Sequence, residues 1–572
     1  MIVKRFVGYL PTVLLVLSAT LLITRVYFHP GVPITHDGEN HLARFANYKI
    51  ALKEGQFPPR FAPNLYHRYG YPTFNYNYPL PNILALPFTL IKLPYQLIFK
   101  LIMTSALLGI GCGIYTWLKL LKVGWSGRAI GVLSAVVSPY LFQTVIYRGS
   151  IGEVLALALG IWLVVWIERL ALPDPKTQTF KALLPQLLIG SLGFILFFLS
   201  HNVTVLFGTP LLLLLAACRL RTEKTRLLVV LIACLIGILG SLWFWLPALL
   251  EQSAIIVGSS SLAQQYVTHF PTLAELISSP LQFGFSFVGP VDSLSFALGL
   301  SQWFVLLSAV AASGLAFLFK QKKVTFQVRP VVIGLSVMTI LLIVFQLSFT
   351  SGIWKTILLA RFIQFPWRLE LFTTATLAIL TGLIFNQAAR WQKFGIIFLL
   401  TLQLILISKA QPVGYINKDR IEYEAFEQST TTSNENLAKD FTFQEFKDWQ
   451  PTPILESGKG QLTLERWSGS SRSYRVIAET PVTIIEPTMY FLGWQTEVSD
   501  PARKRVVPYL NSKTIQGRIA YQLEPGTYQV LTRFGQHTPA RIIGNTLSLL
   551  TMSAIGGVGL LIIGKQIRQK RA

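Results

Sequence analysis

The sequence predicts an α-helical protein that crosses a membrane many times and carries a small β-rich domain before its last transmembrane helix. The first observation is composition: 52% of the 572 residues are hydrophobic and 13% are charged, well under the roughly 25% charged residues of globular domains. The second observation is that long apolar runs alternate with short basic clusters. The third is that residues 409–544 lack such runs and alternate like strands instead.

Apolar runs along the chain predict about twelve transmembrane helices, because a helix needs about 20 apolar residues to span a bilayer, within a range of about 17–25. Runs close to this length lie at 6–26, 97–118, 128–146, 152–170, 183–200, 203–218, 227–249, 296–319, 331–349, 369–386, 394–408 and 545–564. The first run follows Lys4 and Arg5, as in a signal peptide. It lacks a small-residue cleavage site and further spans follow it, so we expect it to remain as a membrane anchor.

Two parts of this pattern admit more than one arrangement. The runs at 183–200 and 203–218 are short and can form a tight hairpin or two tilted half-spans. Residues 82–93 are apolar but only about a dozen long, between two prolines, which suits an interfacial or re-entrant helix better than a span. Counting them as a span would invert every later loop, so we place them in the interface.

Basic clusters predict which loops face the cytoplasm. Lys and Arg concentrate in alternate turns, at 119–128, 169–181, 219–226, 320–329, 390–393 and 565–571. Because cytoplasmic loops carry an excess of these residues, both termini are expected in the cytoplasm of a cell with this protein in its inner or plasma membrane. The net charge of +24 then reflects sidedness in a lipid bilayer, and we expect no nucleic-acid partner.

The chain divides into three predicted parts. Residues 1–408 form the multispan membrane domain, with its first external loop at 27–96. Residues 409–544 are expected to form an extracytoplasmic β-rich domain, since alternating stretches such as 461–464 are separated by turn residues. A segment of this length can bury a core of its own. Residues 545–572 form the last transmembrane helix and a basic cytoplasmic tail.

The first external loop holds a dense group of ionisable and aromatic residues. Asp37 and Glu39 lie at the beginning of a polar, helix-like run that ends near residue 54. A carboxylate here can act as a general base on an acceptor hydroxyl or orient a metal ion, so Asp37 is a candidate for either role. Glu39 is a candidate for a residue that assists Asp37 in that role. The structural alternative is that Asp37 caps the helix and Glu39 interacts with its positive end.

Ionisable residues in the other external turns are predicted to lie on the same side of the membrane as Asp37. The candidate substrate-binding residues are His41, Tyr71, Asn75, Tyr76, Arg148, Glu153, His201, Asn202, Arg361 and Arg368. Charged groups at membrane depth usually face a cavity or a partner. Arginine binds phosphate through a fork of donors, and Tyr and Asn offer surfaces to a sugar. The set therefore favours group transfer from a phosphate-bearing lipid.

Each of these candidates also has a structural interpretation. Arg148 can pair with Glu153 or extend to the membrane interface. The other arginines can anchor lipid headgroups, and the Tyr- and Asn-rich run at 69–81 can form an aromatic belt. His36 and His41 can serve as metal ligands, but no third strong ligand lies nearby in the sequence, so packing is the alternative for both.

Several of these motifs resemble one bacterial family of multispan membrane proteins. They are DGENHLAR at 37–44, LKEGQFPPR at 52–60, GYPTFNY at 70–76 and RFIQFPWR at 361–368, together with Arg148-Gly149 and Ser200-His201-Asn202. They are similar to the 6-pyruvoyl-tetrahydropterin synthase-related membrane proteins, and MYFLGW at 489–494 with LEPGTY at 523–528 resembles the C-terminal part of the related YfhO-like proteins. Nothing in these motifs indicates pterin chemistry.

The resemblance implies a GT-C-like membrane fold, similar to glycosyltransferases that use polyprenyl-phosphate sugars. Those enzymes place an acidic residue in the first external loop, the position that Asp37 occupies here. Many of their loops carry adjacent acidic residues, whereas Gly38 separates Asp37 from Glu39, which weakens the case for a two-carboxylate metal site. The resemblance therefore requires no cofactor and allows a divalent ion, Mg²⁺ or Mn²⁺, at Asp37.

The functional hypothesis is a membrane glycosyltransferase of GT-C type. It transfers a sugar from a polyprenyl-phosphate donor to a glycan, lipid or protein acceptor of the cell envelope on the external face. Asp37 and Glu39 are its predicted catalytic residues, and Arg148, Arg361 and Arg368 its predicted phosphate contacts. The alternatives are a transporter or flippase for a lipid-linked glycan, which would place ionisable residues near mid-span, and a non-catalytic scaffold of envelope assembly.

Overall fold

The architecture is taken from a computed structural model, which describes residues 2–173, 179–258, 268–286, 293–318, 329–357, 365–431, 433–442, 449–501, 503–510 and 515–571. The helices are α1 Ile2–Thr24, α2 Gly38–Lys53, α3 Leu80–Leu90, α4 Tyr95–Leu120, α5 Trp125–Val136, α6 Pro139–Gln143, α7 Ile151–Leu170, α8 Leu184–Phe198, α9 Asn202–Arg219, α10 Lys224–Leu250, α11 Leu273–Ile277, α12 Leu300–Leu318, α13 Arg329–Val344, α14 Ser351–Thr356, α15 Glu370–Gln387, α16 Arg390–Lys409, α17 Arg420–Glu424 and α18 Pro539–Arg571. The strands are β1 Val32–Pro33, β2 Tyr415–Ile416, β3 Ile454–Ser457, β4 Gly460–Trp467, β5 Ser471–Ala478, β6 Val482–Met489, β7 Trp494–Ser499, β8 Lys504–Val506, β9 Arg518–Leu523 and β10 Gly526–Phe534.

The predicted polytopic helical fold is confirmed. Within the described ranges, nine helices are long and apolar enough to cross a membrane, or up to eleven if each of two bent helix pairs counts as one span. The bends are 46° between α5 and the helix that ends at Arg148, and 85° between α13 and α14. The predicted span at 296–319 is the one that is not among these eleven. It corresponds to α12, whose described apolar part, Leu300–Ser313, is a shorter helix.

Of residues 82–93, for which the sequence predicts an interfacial helix, 82–90 lie in α3, an apolar helix of 11 residues. Its length is well below the roughly 20 residues that a span requires. The three cysteines are free, and Cys112 and Cys218 are exposed on their helices whereas Cys234 is buried. All three lie within or at the edge of apolar runs, and this position in the sequence predicts small buried apolar residues. The prediction is wrong for Cys112 and Cys218, because the surface of a membrane helix is itself apolar.

Small residues let the helices of the bundle approach closely. Helix α5 packs along α15, where Ser134 and Thr381 hydroxyls lie 3.1 Å apart. A Cβ atom added to Gly127 of α5 would lie 2.7 Å from the carbonyl oxygen of Gly382 in α15. This backbone contact has the small-residue character of helix interfaces in membranes. It fixes the separation between α15, which begins at Glu370, and α5, whose bent continuation ends at Arg148.

The predicted β-rich region is also confirmed, as two antiparallel sheets. Strands β4, β5, β10, β7 and β8 form one sheet in that order, and β3, β6 and β9 form the other. Alternate residues of β5 and β10 face a core that contains Tyr474, Val476 and Val530. The alternating stretches found in the sequence lie within these strands. The predicted domain boundaries at 408 and 544 stay predictions.

The first part of the chain between α16 and β3, as far as α17, packs on the first loop. Strand β2 pairs with β1, and α17 lies against α2. Two ion pairs connect these segments: Lys418 Nζ to Glu39 Oε1 at 2.5 Å and Lys49 Nζ to Glu424 Oε1 at 2.6 Å. The first loop is thus bound by ion pairs to a segment that lies nearly 400 positions later in the chain.

We predict that Gly127→Ala destabilises the protein by about 1–3 kcal/mol, because the added methyl group overpacks the contact with Gly382. Thermal unfolding in detergent would show a lower midpoint. Gly334→Ala is the matched control, since no atom lies within 4 Å of its added Cβ. Equal midpoints for the two variants would contradict the close α5–α15 contact.

Candidate functional site

Main-chain hydrogen bonds fix the position of Asp37. The amides of His36 and Asp37 donate to the carbonyl oxygens of Tyr147 and Arg148, at 3.1 and 2.9 Å. The first loop is therefore bonded directly to the turn that joins α6 to α7. Gly149 lies in the left-handed region at φ 64°, and a Cβ there would lie 2.4 Å from Thr35 Oγ1. Only glycine allows the two turns to approach this closely.

The side chain of Asp37 does not cap α2, although the residue occupies the N-cap position. The hydroxyl of Thr35 accepts the hydrogen bond from the Gly38 amide instead, at 2.8 Å. Asp37 is half-buried, and its carboxylate forms no hydrogen bond or ion pair with any described residue. The side-chain capping alternative therefore fails, and this carboxylate has no structural partner in the described part of the chain.

A buried ion pair lies beside Asp37. The guanidinium of Arg148 donates to both carboxylate oxygens of Glu153, at 2.6 and 2.7 Å. Both side chains are buried, and Arg148 also stacks on Trp367 with 4.7 Å between its central carbon and the ring centroid. The Tyr140 hydroxyl donates to Glu153 at 3.4 Å. The structural alternative for Arg148, in which it pairs with Glu153, is thus the arrangement that the structure contains.

Two further groups surround the carboxylate of Glu153. Arg368 Nε lies 3.6 Å from Glu153 Oε1, and the guanidinium of Arg368 stacks on Phe365. His201 Nε2 lies 3.9 Å from the same oxygen. Because the amide of Thr204 donates to His201 Nδ1, a neutral ring carries its proton on Nε2, which faces Glu153. Residues from three separate external turns of the predicted topology therefore meet at one carboxylate.

The charge of Asp37 acts on this cluster. Its carboxylate lies close enough to interact electrostatically with both Arg148 and Arg368. His36, next in the chain, stacks on Phe285 with a ring separation of 4.6 Å. Burial and the charge of Arg148 hold the pKa of His36 below its ordinary value, and Asp37 opposes this shift. The site thus places one half-buried carboxylate opposite cations, next to a neutral imidazole.

Glu370 is a candidate that sequence reasoning missed. It begins α15, it is fully buried, and neither of its carboxylate oxygens has a hydrogen-bond partner among the described residues. It interacts electrostatically with Arg148. The available signal was its position two residues after Arg368, at the edge of an apolar run where a carboxylate is costly. Tyr140 and Trp367, which also contact the cluster, carried no comparable signal in the sequence.

Of the other predicted site residues, Glu39 and Tyr71 have partners outside this cluster, whereas His41 adjoins it through Tyr78, which packs on His201. Glu39 pairs with Lys418, and the Tyr71 hydroxyl lies 2.6 Å from that of Thr431. His41 is buried, with its Nε2 3.4 Å from the hydroxyl of Tyr78. Arg361 lies outside the described residues, so its predicted role is not addressed by the contacts.

A second buried cluster gathers the remaining candidates. Asn75 Nδ2 donates to Glu251 Oε2 at 3.0 Å, and the Tyr76 hydroxyl donates to the main-chain oxygen of Glu251 at 2.7 Å. Asn202 Nδ2 donates to the carbonyl oxygen of Tyr76 at 2.8 Å. Arg541 pairs with Glu251 at 2.8 Å. In this arrangement Asn75, Tyr76 and Asn202 connect the first loop to α9, α10 and α18.

An apolar cavity of about 780 Å³ lies between α7, α9, α13 and α15. Ala156 and Leu157 line it from α7, and Phe372 lines it from α15. Ala156 and Leu157 follow Glu153 by three and four positions on α7, so they lie on the same helix face, one turn away. Phe372 follows Arg368 by four positions, in the first turn of α15. The cavity therefore extends along the face of α7 that carries Glu153.

The residues that the structure describes do not assemble a metal site. No three His, Cys, Asp or Glu side chains come together as metal ligands in the parts of the chain that the structure describes. Glu39, the second carboxylate of the first loop, is directed to Lys418 instead. We therefore derive no reaction step through a metal ion.

Comparisons with known proteins find only distant similarity, and no family model matches the chain. A protein of Lactococcus lactis subsp. cremoris (strain MG1363), described as uncharacterized, is 27% identical over 214 residues, which cover 37% of this chain and 33% of that protein. Two structures of the arabinofuranosyltransferase AftD from mycobacteria, the second a mutant, have TM-scores of 0.42 and 0.39 at 15% and 16% identity. They match 69% of this chain but only 26% and 27% of that enzyme's chain. The chain thus spans about a third of the curated relative and a quarter of the mycobacterial enzyme.

We predict that Glu153→Gln destabilises the protein by about 3–5 kcal/mol, because it leaves Arg148 buried and uncompensated. Glu427→Gln is the control: it breaks the exposed Arg68–Glu427 pair and should cost less than about 1 kcal/mol. Chemical unfolding of both variants in detergent tests this. Similar losses for the two variants would contradict a buried pair at Glu153.

We also predict that stability falls as the pH is lowered from about 7 towards 5. Burial, and then the charge of Arg44, hold the pKa of His41 well below its ordinary value of 6.5. The unfolded chain therefore binds the proton first, and the stability contributed above pH 6.5 is lost on acidification. His41→Gln should flatten the dependence of the unfolding midpoint on pH. An unchanged slope would contradict the assignment to His41.

Proposed function

We propose that this protein is a membrane glycosyltransferase of GT-C type that uses a polyprenyl-phosphate sugar as donor and a glycan, lipid or protein of the cell envelope as acceptor. The observation that carries the proposal is the carboxylate of Asp37. It is half-buried, lacks a partner among the described residues, and lies beside the Arg148–Glu153–Arg368 cluster. A carboxylate left without a structural partner at a cationic membrane-edge cluster supports a role in proton transfer.

Asp37 is the proposed general base. It takes the proton of an acceptor hydroxyl while the hydroxyl oxygen attacks the anomeric carbon of the donor. The bond from that carbon to the phosphate oxygen breaks, and the polyprenyl phosphate leaves with the electron pair. A single displacement of this kind inverts the configuration at the anomeric carbon. The main-chain bonds from His36 and Asp37 to the 147–148 turn support a fixed position for the base.

Arg368 is the proposed contact to the leaving phosphate. The guanidinium of Arg148 is committed to both oxygens of Glu153, and its side chain is 5% exposed. The side chain of Arg368 is 16% exposed, so it is the more accessible of the two cations. Arginine stays charged and offers its fork of donors as charge develops on the leaving group. Arg361 keeps its predicted phosphate role, outside the described residues.

The apolar cavity supports a lipid-linked donor. Its lining residues on α7 and α15 begin one turn from Glu153 and Arg368. A polyprenyl chain needs an apolar path that starts where its phosphate is bound, and apolar pockets with a few convergent polar groups are the usual form of ligand sites. The cavity supplies such a path for the first part of the chain.

The assisting role of Glu39 is proposed with its ion pair to Lys418 in place. In this arrangement Glu39 helps to orient the beginning of α2, immediately after Asp37. Ionisable residues at the ends of spans favour the enzyme over a transporter, whose substrate site would lie near the middle of the bilayer. Glu153 is the third residue of α7 and Glu370 is the first of α15.

We predict that Asp37→Asn lowers sugar transfer at least 100-fold, within the range of about 10²–10⁴ that general-base catalysis contributes. The assay is transfer from radiolabelled polyprenyl-phosphate hexoses and pentoses in membranes that contain the variant. Asp419→Asn is the matched control, because Asp419 is exposed and caps α17. Undiminished transfer by Asp37→Asn, at equal protein levels, would remove Asp37 from the mechanism.

A further inference from the structure

A second cavity, of about 470 Å³, lies at the junction of the first loop and the β-rich region. The first loop contributes Asn64 and Arg68, and the sheets and the segment before them contribute Trp449, Trp467 and Arg472. We call this cavity the junction groove. Neither Asp37 nor any residue of the Glu153 cluster lines it, so its chemistry is separate from that of the proposed active site.

Arg472 lines the junction groove and has hydrogen-bond donors that no described residue accepts. Its side chain is buried, its Nε donates to Glu486, and its guanidinium lies between the rings of Trp467 and Trp494, at 4.7 and 4.3 Å. Its Nη1 and Nη2 have no hydrogen-bond partner among the described residues. Buried donors left unpaired are destabilising. A rigid arginine with two such nitrogens suits a bidentate anionic acceptor.

The acidic side chain that lines the groove is already neutralised and does not repel a bound anion. Glu424 lines it, but this side chain accepts from Lys49 at 2.6 Å, from Arg420 at 3.0 Å and from the Tyr95 hydroxyl at 3.0 Å. Its charge is thus compensated by two cations. The groove therefore offers unpaired donors without an uncompensated acidic group.

We propose that the junction groove binds an anionic saccharide, with a carboxylate or phosphate group on Arg472 and sugar rings against the indoles of Trp449 and Trp467. Both indoles are half-buried, and each has one face against a guanidinium, Arg68 or Arg472. Aromatic rings with a few placed polar groups are typical of ligand sites, and the apolar C–H faces of a sugar pack on an indole. The groove goes beyond the proposed transfer site, but the choice of a saccharide over an acidic peptide rests on the proposed function.

The test is isothermal titration calorimetry of the full-length protein in detergent. The probes are pentamannose phosphate, its neutral counterpart mannopentaose, hexagalacturonate and hexaglutamate. We expect at least one of the two anionic saccharides to bind at least tenfold more tightly than mannopentaose and hexaglutamate. Trp449→Ala, Arg68→Gln and Arg472→Gln should each weaken that binding at least tenfold. Trp391→Ala, an exposed tryptophan at the beginning of α16, is the control and should leave it unchanged.

Arg472→Gln disturbs a buried pair and can fail to fold, which is why the partly exposed Trp449 and Arg68 are tested beside it. Absence of binding of both anionic saccharides would overturn the proposal, as would equal binding of mannopentaose or of hexaglutamate. Binding that the Trp449 and Arg68 variants leave unchanged would also overturn it. Asp37→Asn should bind the saccharide normally. Loss of transfer activity and loss of groove binding are therefore distinguishable.

Discussion

The buried ion pair between Arg148 and Glu153 is the constraint on which the site depends. Two charges inside a membrane domain are tolerated only when they compensate each other, and here the fork of Arg148 contacts both oxygens of Glu153. The pair holds the end of the bent helix against the beginning of α7. The carbonyl oxygen of Arg148 then accepts the amide of Asp37. The position of the candidate base is thus a consequence of how a buried charge is neutralised.

The same principle acts at a second position. Glu251, at the end of α10, pairs with Arg541 near the beginning of α18 and accepts a hydrogen bond from Asn75 of the first loop. Both clusters are buried and both lie where helices end. The first loop is thereby fixed at two points, beside Arg148 and beside Glu251. A loop held at two points can carry a catalytic group on one part and contact the sheets with another.

That division gives the first loop two separate chemical environments. Its first part, at Asp37, lies beside the cations Arg148 and Arg368 of the helical bundle. Its later part, at Asn64 and Arg68, lines the junction groove with Trp467 and Arg472 of the sheets. In the proposed function the two environments serve different ligands: a donor that lies in the bilayer and a saccharide that lies in water. Helix α2 joins the two parts of the first loop, and the segment that contains α17 packs on this helix.

Local composition determined the classes of structure in this protein. Apolar runs indicated the membrane helices, and alternation indicated the sheets, because a bilayer and a sheet face each impose a period that neighbouring residues must satisfy. The sequence also identified Asp37, Arg148, Glu153, His201 and Arg368 as residues of interest. It did not decide which of them pair, since an ion pair depends on side chains that meet only after distant helices pack. Only the tertiary structure decided that Arg148 pairs with Glu153 and that the carboxylate of Asp37 pairs with no described residue. It also decided that Asn75 and Tyr76 contact Glu251 instead of the Glu153 cluster.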